Sequence, residues 1–94
     1  MKNDQQDPDQ ESLLEFPCEF QIKVMGLAED SFDQLVVEMI EKHVDDLPAT
    51  SVKIQESSHG KYCSVTVTIT AESKSQLDTI YRELSEHDRV MMAL

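Results

Sequence analysis

The stretch HGKYCSVTVTIT, residues 59–70, decides the fold of this chain. Apolar side chains occupy one parity of it, at Cys63, Val65, Val67 and Ile69. Hydroxyl-bearing side chains occupy the other parity, from Tyr62 to Thr70. Alternation with a period of two is typical of a half-buried β-strand. Gly60, just before the strand, suits the positive φ of a hairpin turn.

The segments around this strand predict three more strands and two helices. Alternation predicts strands at residues 19–26, ended by Gly26, and at 50–57, with Val52 and Ile54 pointing inward. A short strand is expected in DRVMMAL, residues 88–94. Apolar residues recur at helical spacing in residues 30–44 and 73–87. Each helix begins with capping-box spacing, at Ser31–Gln34 and Ser73–Gln76.

The element order is therefore β-α-β-β-α-β. Since each strand has one apolar face and each helix one apolar stripe, both helices should cover one side of an antiparallel sheet. Right-handed crossovers then give the strand order 4-1-3-2. The sequence predicts an α+β fold, the ferredoxin-like plait, as a single domain over residues 13–94.

Charge separates this domain from the first residues of the chain. Residues 1–12 contain four acidic residues and no apolar side chain beyond Met1, which predicts a disordered acidic N-terminal tail. The net charge of −11 opposes binding to nucleic acid or anionic lipid. No apolar run reaches the length of a signal peptide or a membrane span, so we expect a cytoplasmic protein.

Three segments together resemble a known family: LLEFPCEFQIKVMG at 13–26, GKYCSVTVTITAESKSQLDTIYREL at 60–84, and RVMMAL at 89–94. They are similar to the YbeD-like family of small uncharacterised bacterial proteins. The resemblance covers residues 13–94 and implies a ferredoxin-like fold similar to ACT domains, which sense amino acids in metabolic enzymes. It implies no established activity, and it associates members with lipoate metabolism through gene neighbourhood alone.

The reactive residue types are too scattered for catalysis or a metal site. Antiparallel pairing of strands 1 and 3 would hold Cys18 and Cys63 on the order of 20 Å apart, too far for a disulfide or a shared metal. The histidines fall at two helix ends and a turn, at His43, His59 and His87. An acylphosphatase-type site would need an arginine after strand 1, where MGLAED has none. We therefore expect a non-enzymatic protein without cofactor or metal.

The face of the sheet that carries the hydroxyl groups is the first candidate for binding. Alternation predicts that this face displays Lys23, Lys53, Thr66, Thr68, Arg89 and Met91. It would be mildly basic, whereas helix 1 collects acidic residues. Only Tyr62 offers an aromatic ring, which argues against RNA recognition. Two interpretations stay open: a solvated face, since threonine favours half-exposed strands, and a docking face for an unidentified protein partner.

Two further candidates involve the strand ends. In ACT-like domains a glycine after strand 1 lets the backbone approach an effector, so Met25, Gly26 and Leu27 are candidate ligand-binding residues; a glycine is also a routine loop residue there. Strand 4 is apolar on both faces and lies at a sheet edge, which favours a homodimer through that edge. The leading hypothesis is a regulatory or adaptor module that binds a protein partner, and the alternative is an ACT-like sensor of amino acids or carboxylates.

Overall fold

The computed structural model describes residues 14–94, and the tail predicted at residues 1–12 lies outside this range. Four strands and two helices follow in the predicted order, with a 3-10 turn at Ala49–Ser51 before the second strand. The strands are β1 (Cys18–Leu27), β2 (Val52–Glu56), β3 (Tyr62–Ala71) and β4 (Val90–Ala93). The helices are α1 (Phe32–Glu41) and α2 (Lys74–Glu86).

The sheet confirms the predicted topology. Its order is β2-β3-β1-β4, and every neighbouring pair is antiparallel. β1 and β3 pair along their full length, from Cys18 opposite Ala71 to Leu27 opposite Tyr62. These two central strands fix the register of the rest of the molecule.

The core lies between one face of the sheet and the two helices. Thirteen apolar side chains are buried there, and no polar or charged side chain of residues 14–94 is buried. The sheet contributes Ile22, Val24, Cys63, Val65, Val67, Ile69 and Ala71, and the helices contribute Phe32, Val36, Ile40, Leu77, Ile80 and Leu84. The period of two along the strands and the helical spacing along α1 and α2 place these apolar side chains on the faces that meet in this one layer.

The two helix starts differ from each other. Ser73 caps α2 as predicted, because its Oγ accepts a hydrogen bond from the Gln76 backbone N–H at 3.1 Å. The prediction for Ser31 is wrong, because this residue adopts a left-handed conformation with φ 55° and makes no side-chain cap hydrogen bond. Asp30 is left-handed as well, at φ 51°. The Arg89 guanidinium instead binds the loop before α1, donating to the carbonyl oxygens of Glu29 and Asp30.

The hairpin between β2 and β3 forms as predicted at Gly60, which has φ 70° and donates its N–H to the Ser57 carbonyl oxygen at 2.8 Å. The expected burial of Ile54 on β2 is wrong. Ile54 pairs with Val65 and so has the inward parity, yet it is 52% exposed. Neither helix covers this edge of the sheet, so parity alone does not bury the side chain.

Candidate functional site

The side of the sheet away from the helices carries no covering element within residues 14–94. We call it the open face. Since Ile22, Val24, Val65 and Val67 point into the core, their strand neighbours point to this side. Its central residues are Gln21, Lys23, Met25, Leu27, Lys53, Gln55, Tyr62, Ser64, Thr66, Thr68 and Met92.

Apolar side chains meet at one corner of the open face. Leu27 lies opposite Tyr62, and the two side chains are 39% and 41% exposed. Met25 lies opposite Met92, which is 48% exposed, and Met91 beside it is 62% exposed. We call Met25, Leu27, Tyr62, Met91 and Met92 the apolar corner. Contiguous exposed apolar side chains of this kind mark interaction sites more often than isolated ones do.

A shallow depression of about 440 Å³ lies at this corner. Its lining combines apolar side chains with charged ones at the rim: Leu27, Glu29, Lys61, Tyr62, Asp88, Arg89 and Met91. The Lys61 ammonium lies 5.5 Å from the centre of the Tyr62 ring. The depression therefore offers an apolar floor with two cationic and two acidic residues at its rim.

Next to this corner, a row of three residues crosses the sheet. Thr66 on β3 is directly opposite Lys23 on β1 and directly opposite Lys53 on β2. The next rows along β3 bring Ser64 beside Gln55, and Thr68 beside Gln21. Lys23, Lys53, Thr66 and Thr68 thus share one face, in the arrangement that the sequence predicted.

The regular alternation expected for Arg89 and Met91 is interrupted in β4, although both residues line the depression at the apolar corner. β4 contains a β-bulge: Met92 pairs with Met25 and Val90 with Gly26, which leaves Met91 as an extra residue. The extra residue reverses the parity, so Met92 takes the place on the open face that alternation gives to Met91. Arg89 precedes β4, and its guanidinium binds the loop before α1, 5.8 Å from the centre of the Phe32 ring.

Met25, Gly26 and Leu27 are not brought together on one surface. Met25 and Leu27 belong to the open face, whereas Gly26 is buried on the opposite side. A Cβ added to Gly26 would lie 2.5 Å from the Arg89 carbonyl oxygen and 2.5 Å from Cε1 of Phe32. The space beside this glycine is filled by the protein itself, so the close approach it permits is to Phe32 and Arg89.

A second depression, of about 600 Å³, lies at the other end of the sheet. Its lining includes the acidic side chains Glu19, Asp45, Asp46 and Glu72, together with His43 and Gln76. His43 Nε2 lies 3.0 Å from Glu83 Oε1, and the Gln76 amide donates to the His43 carbonyl oxygen. These contacts join the end of α1 to α2, and no group of three or more potential metal ligands occurs in residues 14–94.

The two thiols are far apart. Cys18 pairs with Ala71 and Cys63 with Gly26, eight rows away along β1, or roughly 25 Å. Both are free cysteines. Burial raises the pKa of the Cys63 thiol, and the charges of Asp33 and Glu56 raise it further. A buried thiol held in its neutral form is a poor nucleophile.

One carboxyl group is perturbed in the opposite direction. The hydrogen bond from His43 lowers the pKa of Glu83, and the positive charges of Lys42 and Arg82 add to this effect. The other two histidines lie elsewhere. His59 is in the exposed hairpin turn, and His87 Nδ1 accepts a hydrogen bond from the Arg89 backbone N–H at the end of α2.

Neither helix of residues 14–94 has the length and apolar composition needed to span a membrane.

Comparison with known proteins supports the family resemblance and the fold. A family model described as protein of unknown function (DUF493) matches residues 11–94. The chain is 40% identical to a UPF0250 protein of Nitrosomonas europaea over 85 residues, which are 90% of this chain and 98% of that protein. It is 42% identical to a UPF0250 protein of Chromobacterium violaceum, over 92% of this chain and 97% of the other.

A solved structure shares the architecture. The solution structure of protein HP0495 from H. pylori aligns with a TM-score of 0.69, covering 86% of this chain and 85% of that one, at 20% sequence identity. At this identity the likeness concerns the fold alone. The names of these relatives state no activity.

Proposed function

We propose that this chain, which belongs to the DUF493 family of proteins of unknown function, is a regulatory or adaptor module that binds a protein partner through its open face. The membership confirms the resemblance to the YbeD-like family of small uncharacterised bacterial proteins. A non-enzymatic role in the cytoplasm, as the sequence predicts, is part of the proposal.

The observation that carries the proposal is the apolar corner. Leu27, Tyr62 and Met92 each expose between 39% and 48% of their surface at one end of a sheet face whose central residues outside the apolar corner are polar. Protein interfaces combine an apolar centre with a polar rim in this way, and aromatic and methionine side chains are enriched in them. Burial of these side chains against a partner would remove apolar surface from water.

Site-specific photo-crosslinking in bacterial cells tests this proposal. A photoreactive phenylalanine at Gln55, which is exposed on the open face, should give a discrete adduct with a partner protein. The same residue at Glu38, exposed on α1, is the matched control and should give none. Leu27→Ser should reduce the adduct at position 55, because it removes apolar contact area. Equal adducts from both positions, or none from position 55, would contradict docking at the open face.

Self-association through β4 is a second candidate function, and one structural observation favours it. β4 is an edge strand, and Met91 and Met92 are exposed along it. An edge strand can pair with another chain, although the short length and the bulge of β4 reduce the pairing available. Light scattering after size exclusion should then give twice the 10.7 kDa chain mass at high concentration, and Met91→Lys should restore the monomer. A monomeric wild-type protein at millimolar concentration would remove this candidate.

The ACT-like sensor is the alternative function, and the depression beside Leu27 is the place on the open face where a small carboxylate would meet Lys61. Gly26 itself is covered by Phe32 and Arg89, so this glycine would not contact such a ligand. An amide-shift titration with amino acids and small carboxylates, lipoate included, discriminates the two functions. Shifts clustered at Leu27, Lys61 and Tyr62 would favour the sensor, and an unmoved spectrum at millimolar ligand would remove it.

A further inference from the structure

The row Lys23–Thr66–Lys53 places two ammonium groups on the open face with a hydroxyl group between them. Neighbouring strands in a sheet are separated by about 4.8 Å, so the Cα atoms of the two lysines lie about 10 Å apart. Polar side chains flank the row on both sides, with Ser64 and Gln55 on one and Thr68 and Gln21 on the other. The row is therefore a cationic centre surrounded by hydrogen-bonding groups.

Neither lysine is neutralised by a carboxylate of residues 14–94. The ion pairs in this part of the chain involve Lys42, His43 and Lys74, all on the helix side. Among the strand residues that point to the open face, Glu19 is the acidic one, and it lies four residues from Lys23 at the far end of β1. A chain of net charge −11 thus keeps two positive charges together on its uncovered face.

We infer that the partner contacts this row with an acidic segment in an extended conformation, which runs along the open face and places an apolar side chain at the apolar corner. The inference rests on the proposed function and names the chemistry of the partner. Lys23 and Leu27 are four residues apart on β1, about 13 Å. An extended segment covers the same distance in four of its own residues, so one short peptide can reach both features.

Charge complementarity favours an acidic partner segment over a second copy of this chain and over nucleic acid. A second copy that stacks its open face on the first would bring like charges together, with Lys23 and Lys53 of each copy facing the other pair. Nucleic acid would gain contacts to the lysines, but the acidic remainder of the chain repels a phosphate backbone, and among residues 14–94 the open face offers only Tyr62 for base stacking. At an ionic strength of about 0.1 M the Debye length is about 10 Å. A short acidic segment lies within this distance of Lys23 and Lys53, whereas the acidic residues farther away on the chain are screened.

The test uses the full chain and a labelled twelve-residue peptide. Glutamate and threonine alternate in this peptide up to the last glutamate, and one leucine follows four residues after it. Fluorescence polarisation should show binding at about 0.1 M salt that weakens as the salt concentration is raised further. Lys23→Gln with Lys53→Gln should reduce the affinity by roughly threefold to tenfold, as expected for two exposed ion pairs. Lys42→Gln with Lys74→Gln removes the same charge from the helix side and should leave the affinity unchanged.

Several results would overturn the inference. They are equal binding of a peptide with glutamine in place of glutamate, an equal loss in the two double variants, tighter binding of a single-stranded oligonucleotide, or no binding of the acidic peptide. The acidic residues 4, 7, 9 and 11 of the same chain provide a further check. If replacing them with their amides in the free protein moves the amide resonances of Lys23, Lys53 and Thr66, the occupant is the chain itself and the inference is wrong.

The outcome can be separated from that of the proposed function. An adduct at position 55 that is unaffected by Lys23→Gln with Lys53→Gln would keep the docking function and reject the acidic segment. No adduct at position 55 would reject the docking function even where the acidic peptide binds in solution.

Discussion

Replacing Gly26 with alanine tests whether this glycine is required by packing. The added Cβ would lie 2.5 Å from the Arg89 carbonyl oxygen and 2.5 to 2.6 Å from two atoms of the Phe32 ring. Because one of these neighbours is backbone, the methyl group cannot be accommodated by a side-chain rotation alone. The backbone of Gly26 is not in the left-handed region, so alanine brings no φ strain.

The expected magnitude is the difference between two effects. Overpacking a well-filled core costs about 1–3 kcal/mol, whereas glycine-to-alanine replacement at a compatible backbone conformation stabilises by about 0.4–1 kcal/mol through the unfolded state. We expect Gly26→Ala to lower the free energy of unfolding by about 1–2 kcal/mol. For a domain of this size the Tm should fall by roughly 5–15 °C.

Urea denaturation followed by circular dichroism measures this change. Gly60→Ala is the matched control, because its nearest neighbour would be 3.8 Å away but its φ is 70°. Its cost of about 1 kcal/mol should be largely recovered by Gly60→Asn, since asparagine tolerates left-handed backbone, whereas Gly26→Asn should be worse than Gly26→Ala. Phe32→Leu should partly relieve Gly26→Ala, giving a double variant less unstable than the sum of the singles. A Gly26→Ala protein as stable as wild type would refute the packing explanation.

Three further predictions concern single side chains. Because the hydrogen bond from His43 lowers the pKa of Glu83 in the folded state, the contribution of Glu83 to stability is present above the unfolded pKa of about 4.3 and is lost as pH falls through the lower folded value. Glu83→Gln should therefore flatten the acid side of the Tm-versus-pH curve. An unchanged curve would contradict the His43 contact. Native alkylation read by mass spectrometry should modify Cys18, which is half-buried, well before Cys63, which should react only in urea; equal rates would show that Cys63 is accessible. Ile54→Ala should change the unfolding free energy by less than about 1 kcal/mol, while Ile22→Ala should cost about 2–5 kcal/mol, and similar losses would mean that Ile54 is buried after all.

The sequence predicts those features that depend on periodicity within one element. The alternation at residues 59–70 and the helical spacing of Phe32, Val36 and Ile40 locate the strands, the helices and their buried sides. The right-handedness of the β-α-β crossovers and the coverage of one sheet face by both helices then suffice to predict the strand order β2-β3-β1-β4. The Lys23–Thr66–Lys53 face follows from the same alternation.

The features that the sequence misses depend on contacts between distant residues. The bulge at Met91 moves Met92 onto the open face, and nothing in VMMA distinguishes an inserted residue from a regular one. The start of α1 is bound by Arg89, nearly sixty residues later, so the local capping-box spacing at Ser31 is not used. Ile54 has an inward parity, but its exposure depends on where the helices lie across the sheet.

The central position of β1 has a consequence for the order in which the domain can form during synthesis. The partner residues of β1 on β3 follow it by 35 to 53 positions, and its partners on β4 come later still. At a translation rate of about 5–20 residues per second, β1 waits for several seconds before either neighbour exists. Both the apolar corner and the lysine row require β1 to be flanked by late segments. A nascent chain that has not yet reached β4 therefore lacks the apolar corner, so the proposed docking surface forms only after β4 has been synthesised.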